Sequence, residues 1–241
     1  MTRQFVRSRR AVLMAAMLAC LALALGWAAQ PAAQSAGGAV DVAIVLAVDC
    51  SWSVDQTEYH QQLEGLSAAF RSRDVIKALR SGPNGRIAIA LVQWAAPDDQ
   101  HLAIPWTIIE TTEDAVLLAE RIDVVPRTIV AGATSITAVI TTGIALHRSN
   151  PFDADRQVID ISSDGVNNTG GRPESARDFA TAQGITINGL TILNEVPYLD
   201  HYFQNHIIGG IGSFVETASD YADYHRAIKR KLLREIGLPL S

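Results

Sequence analysis

Asp49-Cys50-Ser51-Trp52-Ser53 places a carboxylate and two hydroxyls at alternate positions of one short stretch. Thr134, in Gly132-Ala133-Thr134, and Asp164, in Ser163-Asp164-Gly165, offer a third hydroxyl and a second carboxylate from far along the chain. All five are hard oxygen donors, with no sulfur or imidazole among them. Such a set suits Mg²⁺, or Mn²⁺ or Ca²⁺, rather than zinc or copper. With neutral hydroxyls forming much of the shell, the ion keeps positive charge and can accept a carboxylate from another molecule. Taken singly, each residue has a plainer role. Asp49 can end a strand or cap a helix, Ser51 and Ser53 can bond local backbone, Thr134 can cap the next helix, and Asp164-Gly165 can be a turn.

The five can meet only if the fold brings three segments to one place. Val40 to Val48 is a nearly continuous apolar run, as in a central strand buried on both faces, and it ends at Asp49. Asp55 and Glu58 have capping-box spacing, and Tyr59, Leu63, Leu66 and Phe70 mark one helical face. Further strands are predicted at 86–94, at 102–109 (antiparallel and near an edge, with Pro105 inside it), at 157–162, at 185–193 and at 211–216. Helices are predicted at 112–122, 135–148, from Pro173 to about Gly184, and along Tyr221, Tyr224, Ile228, Leu232 and Ile236. Strands alternating with helices define an α/β domain: a doubly wound, mostly parallel sheet with one antiparallel edge strand and helices on both faces. In such sheets ligands bind beyond the carboxyl ends of the strands, where Asp49 and Asp164 fall and where the Thr134 helix begins.

In this order the motifs resemble the von Willebrand factor A domain and its metal-ion-dependent adhesion site. That site is D-x-S-x-S after the first strand (Asp49, Ser51, Ser53), a Thr in a G-x-T loop (Thr134), and an Asp in an apolar-strand-D-G element (Val158 to Gly165, with Asp164). The resemblance covers about residues 40–236 and implies a Rossmann-like fold and a metal ligated by those five residues. Within the superfamily the chain is similar to a bacterial family of exported A-domain-like proteins of unknown function. The features that suggest it include the Trp94 and Pro105-Trp106 strand pair, Asp160-x-Ser162-x-Asp164-Gly165-x-Asn167-Asn168, Ile208-Gly209-Gly210 and Lys231-Leu232-x-x-Glu235-Ile236. Two positions depart from the superfamily pattern: Trp52 and Ser163 each stand where Gly is usual. A Trp beside the metal either contacts a partner or narrows access.

Other residues read more plainly. Asp160, mid-strand between two Ile, needs a buried hydrogen bond or ion pair rather than a metal. Asn167 and Asn168 satisfy the backbone of their own loop. Cys50 points away from the oxygen donors as a small apolar group. Trp94 and Trp106 pack across strands. His201 and His206 are surface residues, and Lys229, Arg230, Lys231 and Arg234 form a solvated face complementing the helix dipole.

Residues 1–29 read as a signal peptide: Arg3, Arg7, Arg9 and Arg10 precede an uncharged, Ala/Leu-rich stretch from Ala11 to Ala29. Ser8 to Met14 also resembles the twin-arginine export pattern, so a Sec or a twin-arginine route is open. The alternative is an N-terminal membrane anchor. Residues 30–39 form a linker and 40–237 the domain. Of the 241 residues, 48% are apolar and 19% charged, enough for one sizeable core. Removing the leader leaves 16 bases against 25 acids, a net charge of −9. The whole chain's net charge of −5 argues against a nucleic-acid surface, and no later segment is long and apolar enough to span a bilayer. If cleavage falls near residues 28–36, Cys50 is the only cysteine left and forms no internal disulfide.

The expectation is an exported, periplasmic or extracellular, non-enzymatic module. It binds a protein partner through a divalent ion and an Asp or Glu of that partner. The alternatives are a Mg²⁺-dependent phosphatase or phosphotransferase built on Asp49, and a purely structural metal. Haloacid-dehalogenase-type enzymes need D-x-D, and here Ser51 replaces the second Asp. No G-x-S-x-G elbow or Walker-type loop is present.

Overall fold

The computed structural model describes residues 37–237. The predicted signal peptide and most of the predicted linker lie outside the described residues. Six strands form one sheet: β2 (Val42–Asp49), β3 (Ile87–Trp94), β4 (Gln100–Ile109), β6 (Gln157–Ser163), β7 (Ile185–Ile192) and β8 (Val215–Ala218). Their spatial order is β4-β3-β2-β6-β7-β8. Every neighbouring pair is parallel except β3 with β4, which is antiparallel and closes one edge. A second, two-stranded pairing joins β1 (Ala39–Val40) to β5 (Asp153–Ala154).

The apolar run predicted as a central strand is buried along its whole length. Its side chains alternate between two layers. Val42, Ile44, Leu46 and Val48 pack with α1 (Gln56–Arg71), α2 (Arg73–Leu79), α3 (Thr112–Asp123) and α7 (Tyr224–Gly237). Val45 and Ala47 join Ile159 and Ile161 against α4 (Ile136–Arg148), α5 (Pro173–Thr181), α6 (Leu199–Tyr202) and the π-helical turn Phe203–Ile207. Gly143 lets α4 approach β6 closely, because a Cβ there would stand 2.6 Å from Ile159 Cδ1. The predicted doubly wound sheet with an antiparallel edge and helices on both faces is therefore the observed one.

Local expectations fared less evenly. The last strand runs from Val215 to Ala218, not from Ile211 to Glu216, because the Gly210-Gly212 region turns with positive φ at both glycines. Helix α2 and the 199–207 helical segment carry too few turns to show a periodicity and were not expected. Trp94 and Trp106 are not strand partners: Trp94 pairs with Gln100, and Trp106 lies by the β3–β4 bulge and donates to the Leu146 carbonyl of α4 (3.1 Å).

The chain passes outward from β2 to β3 and β4, then crosses over β2 to β6, β7 and β8. The β2–β6 boundary is the topological switch point, and the crevice beyond its carboxyl ends is where such sheets bind ligands.

Candidate metal centre

Asp49 is the last residue of β2, and Asp164 follows the last residue of β6, so both carboxylates stand at the switch point. The backbone N–H of Ser51 donates to Asp49 Oδ1 (2.8 Å), turning the chain sharply out of the strand. Ser163 Oγ donates to Asp49 Oδ2 (2.5 Å) from β6. Ser53 Oγ donates to Asp164 Oδ1 (2.7 Å) and Tyr221 to Asp164 Oδ2 (3.0 Å). The Ser51 and Ser53 hydroxyl oxygens are 3.4 Å apart and link the two carboxylates' partners. Thr134 borders the group: its Oγ1 is 3.5 Å from where a Cβ on Gly165 would stand. Four of the five sequence-predicted residues are thus linked by hydrogen bonds, with Thr134 beside the Asp164 loop.

The loops carrying them are fastened individually. Asp55 and Glu58 form the expected capping box at the start of α1. One helical turn on, buried Gln62 donates to the Asp49 carbonyl (3.0 Å). Arg127 Nη2 donates to the carbonyls of Val54 (2.7 Å) and Cys50 (3.3 Å), clamping the Asp49–Ser53 loop from beneath. Gln93 of β3 accepts from Thr128 N (2.8 Å) and donates to the Pro126 carbonyl (2.7 Å), fixing the segment that leads to Thr134. Trp52 N donates to the Gly132 carbonyl (2.9 Å) and joins the first two loops. Thr134 does not cap α4; Ser135 does.

Asn167 and Asn168 serve another loop rather than only their own. Asn168 Oδ1 accepts from Thr134 N (2.9 Å), while Asn168 N donates to the Thr134 carbonyl (2.9 Å). Asn167 Oδ1 accepts from Thr137 N (3.1 Å). The two side-chain carbonyl oxygens accept from the Thr134 loop and the Asn168 backbone N–H donates to it, so these residues stitch the Asp164 loop to the Thr134 loop.

The electrostatics are lopsided. Asp49 and Asp164 are fully buried. Burial, and then the neighbouring Asp164, push the Asp49 carboxyl up to about 7 against the Ser163 and Ser51 hydrogen bonds. Asp164 is also raised, mainly by burial, although Ser53 and Tyr221 donate to it. Burial and both carboxylates push the Tyr221 phenol well up, so it stays a donor. Arg127, the guanidinium nearest in the hydrogen-bond network, is directed to carbonyls instead of either carboxylate. Among the described residues no three His, Cys, Asp or Glu cluster as a metal set. Here two carboxylates and three hydroxyls converge, a composition that could hold a hard divalent cation and whose repulsion such an ion would relieve.

Ser163, Tyr221, Gln62 and Arg127 had no role assigned from sequence; only Ser163 carried a signal, as a hydroxyl where Gly is usual. Cys50 is buried as expected, and burial pushes its thiol up to about 12. Asp160 has the expected ion pair, with Lys231 Nζ 2.5 Å from its Oδ1. Lys231 is therefore not part of a solvated face. It is fully buried, also contacts Glu235 Oε1 (2.6 Å), and lies among β6, β7 and α7. Asn188 of β7 donates to the same Glu235 oxygen (2.9 Å), and Arg156 bonds the Glu235 carbonyl.

A six-stranded sheet of this order has the fold of the von Willebrand factor A-type structures it resembles. Residues 39–239 match the family described as "Protein of unknown function (DUF1194)", and the chain belongs to that family. No curated protein matches it. Among solved structures it resembles proximal thread matrix protein 1 from the mussel byssus, at 20% identity over 85% of this chain and 47% of that one, TM-score 0.59. The same mussel protein is known with a zinc-occupied MIDAS motif (20% identity, 83% and 48% covered, TM-score 0.56). The manganese-loaded TRAP protein of Plasmodium vivax is similar at 15% identity over 83% and 74%, TM-score 0.53. So is the vWF domain of the type V pili tip protein Mfa5 from Porphyromonas gingivalis, at 15% identity over 84% and 98%, TM-score 0.52. At these identities the likeness is one of fold. The chain spans about half the length of the mussel protein.

Proposed function

We propose that this chain is a non-enzymatic, divalent-metal-dependent protein-binding module of the adhesion type. In this reading Asp49, Ser51, Ser53, Thr134 and Asp164 hold Mg²⁺, or Mn²⁺ or Ca²⁺, and the ion supplies a Lewis-acid site for an Asp or Glu carboxylate of a partner. The observation that carries it is the pair of buried carboxylates, Asp49 and Asp164, lying within each other's field among hydroxyls, with no Lys or Arg among the described residues bonded to either. Burying carboxylates together is costly unless a counter-charge joins them, and a hard divalent ion supplies it. Asp49 ends β2, and Asp164 follows the end of the adjacent β6. Ser163 and Tyr221 orient them, and Asn168 keeps Thr134 in reach.

The neighbours with zinc or manganese in related folds favour divalent binding in general. An acyl- or phosphoryl-transfer reading draws less support. Asp49 is fully buried, with a donor on each oxygen, a poor posture for a nucleophile. Residue 51 offers a hydroxyl in place of an acid–base carboxylate.

Export through the N-terminal leader belongs to the same reading, with the domain acting outside the cytoplasm. Among the described residues no helix is long and apolar enough to cross a membrane.

The test is calorimetric titration of the chain with Mg²⁺, Mn²⁺ and Ca²⁺, paired with capture from native cell envelope in Mg²⁺ or in chelator. The expected result is one ion per chain, lost in Asp49→Asn, and a partner retained only with metal. An ion that binds while the captured proteins are indifferent to chelator would turn the reading toward a structural metal.

A further inference from the structure

The rim around Asp49 and Asp164 has two chemically different sides, set by strand order. Gly132 packs over the end of β3: a Cβ on it would stand 2.9 Å from Ala95 Cβ and 3.1 Å from Asp99 Oδ2. Trp52 N donates to the Gly132 carbonyl, which holds the backbone of residue 52 on that side. Trp52 is 78% exposed and Val130, two residues before Gly132, is 75% exposed. A tryptophan left this open beside a polar cluster has no packing role to explain it. Large aromatics of this kind are the usual anchors of protein interfaces.

On the other side, β6 is followed by β7, and Glu195 lies in the loop leaving β7. Glu195 is exposed and stands beyond the carboxyl end of β7, on the same edge of the sheet where Asp164 leaves the neighbouring β6. Glu58 sits in the first turn of α1, just past the Asp49–Ser53 loop, where its carboxylate accepts from Asp55 N (2.8 Å). Asp99, behind Gly132, adds a further acid on the Trp52 side. The guanidinium bonded beneath these loops, Arg127, is held by three backbone carbonyls. The two buried carboxylates, with Glu58, Glu195 and Asp99 around them, disfavour a further carboxylate, and a metal ion would reverse that preference.

We infer that the partner presents a single carboxylate flanked by an apolar side chain, which covers Trp52 and Val130, and by a Lys or Arg, which pairs with Glu195 and Glu58. The inference rests on the metal-dependent reading above and narrows it to a sequence class: an isolated Asp or Glu between apolar and basic neighbours, as opposed to an acidic run. Trp52 and Glu195 are the residues that choose the partner, and neither is among the five metal candidates.

The test uses the full chain and fluorescein-labelled synthetic heptapeptides carrying one Asp in a Gly/Ser frame. The flanks are Lys and Leu in both orders, Glu and Leu, or Lys and Gly. Binding is read by anisotropy in Mg²⁺ and in EDTA, beside calorimetric Mg²⁺ titration. In Mg²⁺, one order of the Lys/Leu peptide is expected to bind at least tenfold tighter than its Glu/Leu counterpart, and severalfold tighter than Lys/Gly. Glu195→Gln is expected to shrink the first ratio and Trp52→Gly the second, with Mg²⁺ affinity unchanged in both. Mg²⁺ binding without any flank preference, or preferences that survive both substitutions, overturns the inference and leaves the metal reading standing. Failure of the chain to bind Mg²⁺, or peptide binding indifferent to EDTA, overturns the metal reading itself.

Discussion

Ser163 Oγ donates to Asp49 Oδ2 across 2.5 Å, a hydroxyl at the end of one strand steering a carboxylate at the end of its neighbour. The bond joins β6 to β2 at the switch point and satisfies an oxygen that is wholly removed from water. Removing the hydroxyl leaves that oxygen without its side-chain donor. Ser163→Ala is expected to cost about 1–3 kcal/mol in chelator, measured by urea unfolding. A cost near zero would mean that the contact does not hold Asp49.

Divalent metal should stabilise the fold. At 100 times its dissociation constant an ion that binds only the native state adds about 2.7 kcal/mol, seen as a higher Tm in Mg²⁺ than in EDTA. Asp49→Asn should abolish this gain. It should also raise Tm in EDTA, because burial and Asp164 already push the Asp49 carboxyl up to about 7 and the amide carries no charge to bury. A variant that still responds to Mg²⁺ would remove Asp49 from the ligand set.

The buried Asp160–Lys231–Glu235 group makes a pH prediction. Burial, then Glu235, push the Asp160 carboxyl from 3.8 up to about 8, with Lys231 opposing. The folded state therefore holds this proton more tightly than the unfolded chain. Its contribution is whole below about pH 4 and is lost as pH rises toward 8. Wild type should lose stability over that window relative to Asp160→Asn, whose profile should be flatter. Unfolding midpoints of the two proteins from pH 4 to 8 decide it.

Among the described residues, Lys231 is the only cation contacting those two carboxylates. Lys231→Met should cost about 3–5 kcal/mol at pH 7, the penalty for leaving buried charge unpaired. The same change combined with Asp160→Asn and Glu235→Gln should recover much of it. Denaturant melts of the single and triple variants separate the cost of broken pairing from that of lost packing.

The Cys50 thiol, buried and pushed up to about 12, should resist iodoacetamide at pH 8 in the native state and react only as the domain opens. Peptide mapping distinguishes it from Cys20. Rapid native labelling at Cys50 would contradict its burial.

The architecture was legible because its signals are local and redundant. The apolar run before Asp49, the capping box at Asp55, and the helical registers of Tyr59 to Phe70 and Ile136 to Ile144 each point to one element, and the motif order places their ends together. What failed to show depends on pairing across distance. Lys231 has neighbours typical of a solvated helix face, and its partner Asp160 is separated from it by most of the second half of the chain. Asn168 looks like any loop amide until its two bonds to the Thr134 backbone are seen. Short helices such as Arg73–Leu79 have too few turns for a period, and a glycine-rich turn displaced the last strand. Ser163 was visible only as a departure, without a geometry to say what its hydroxyl meets.

The small β1–β5 pairing and the Arg156 bond to the Glu235 carbonyl lie at the foot of the sheet, where the parallel strands begin. Ala39 and the last turn of the closing helix therefore leave the fold from the pole opposite Trp52 and Asp164. Whatever is joined directly at Ala39 or at Gly237, whether a fused reporter or a sensor chip, grips the domain by its base and leaves the crown free. A domain immobilised at either of those residues should thus present every copy facing the same way.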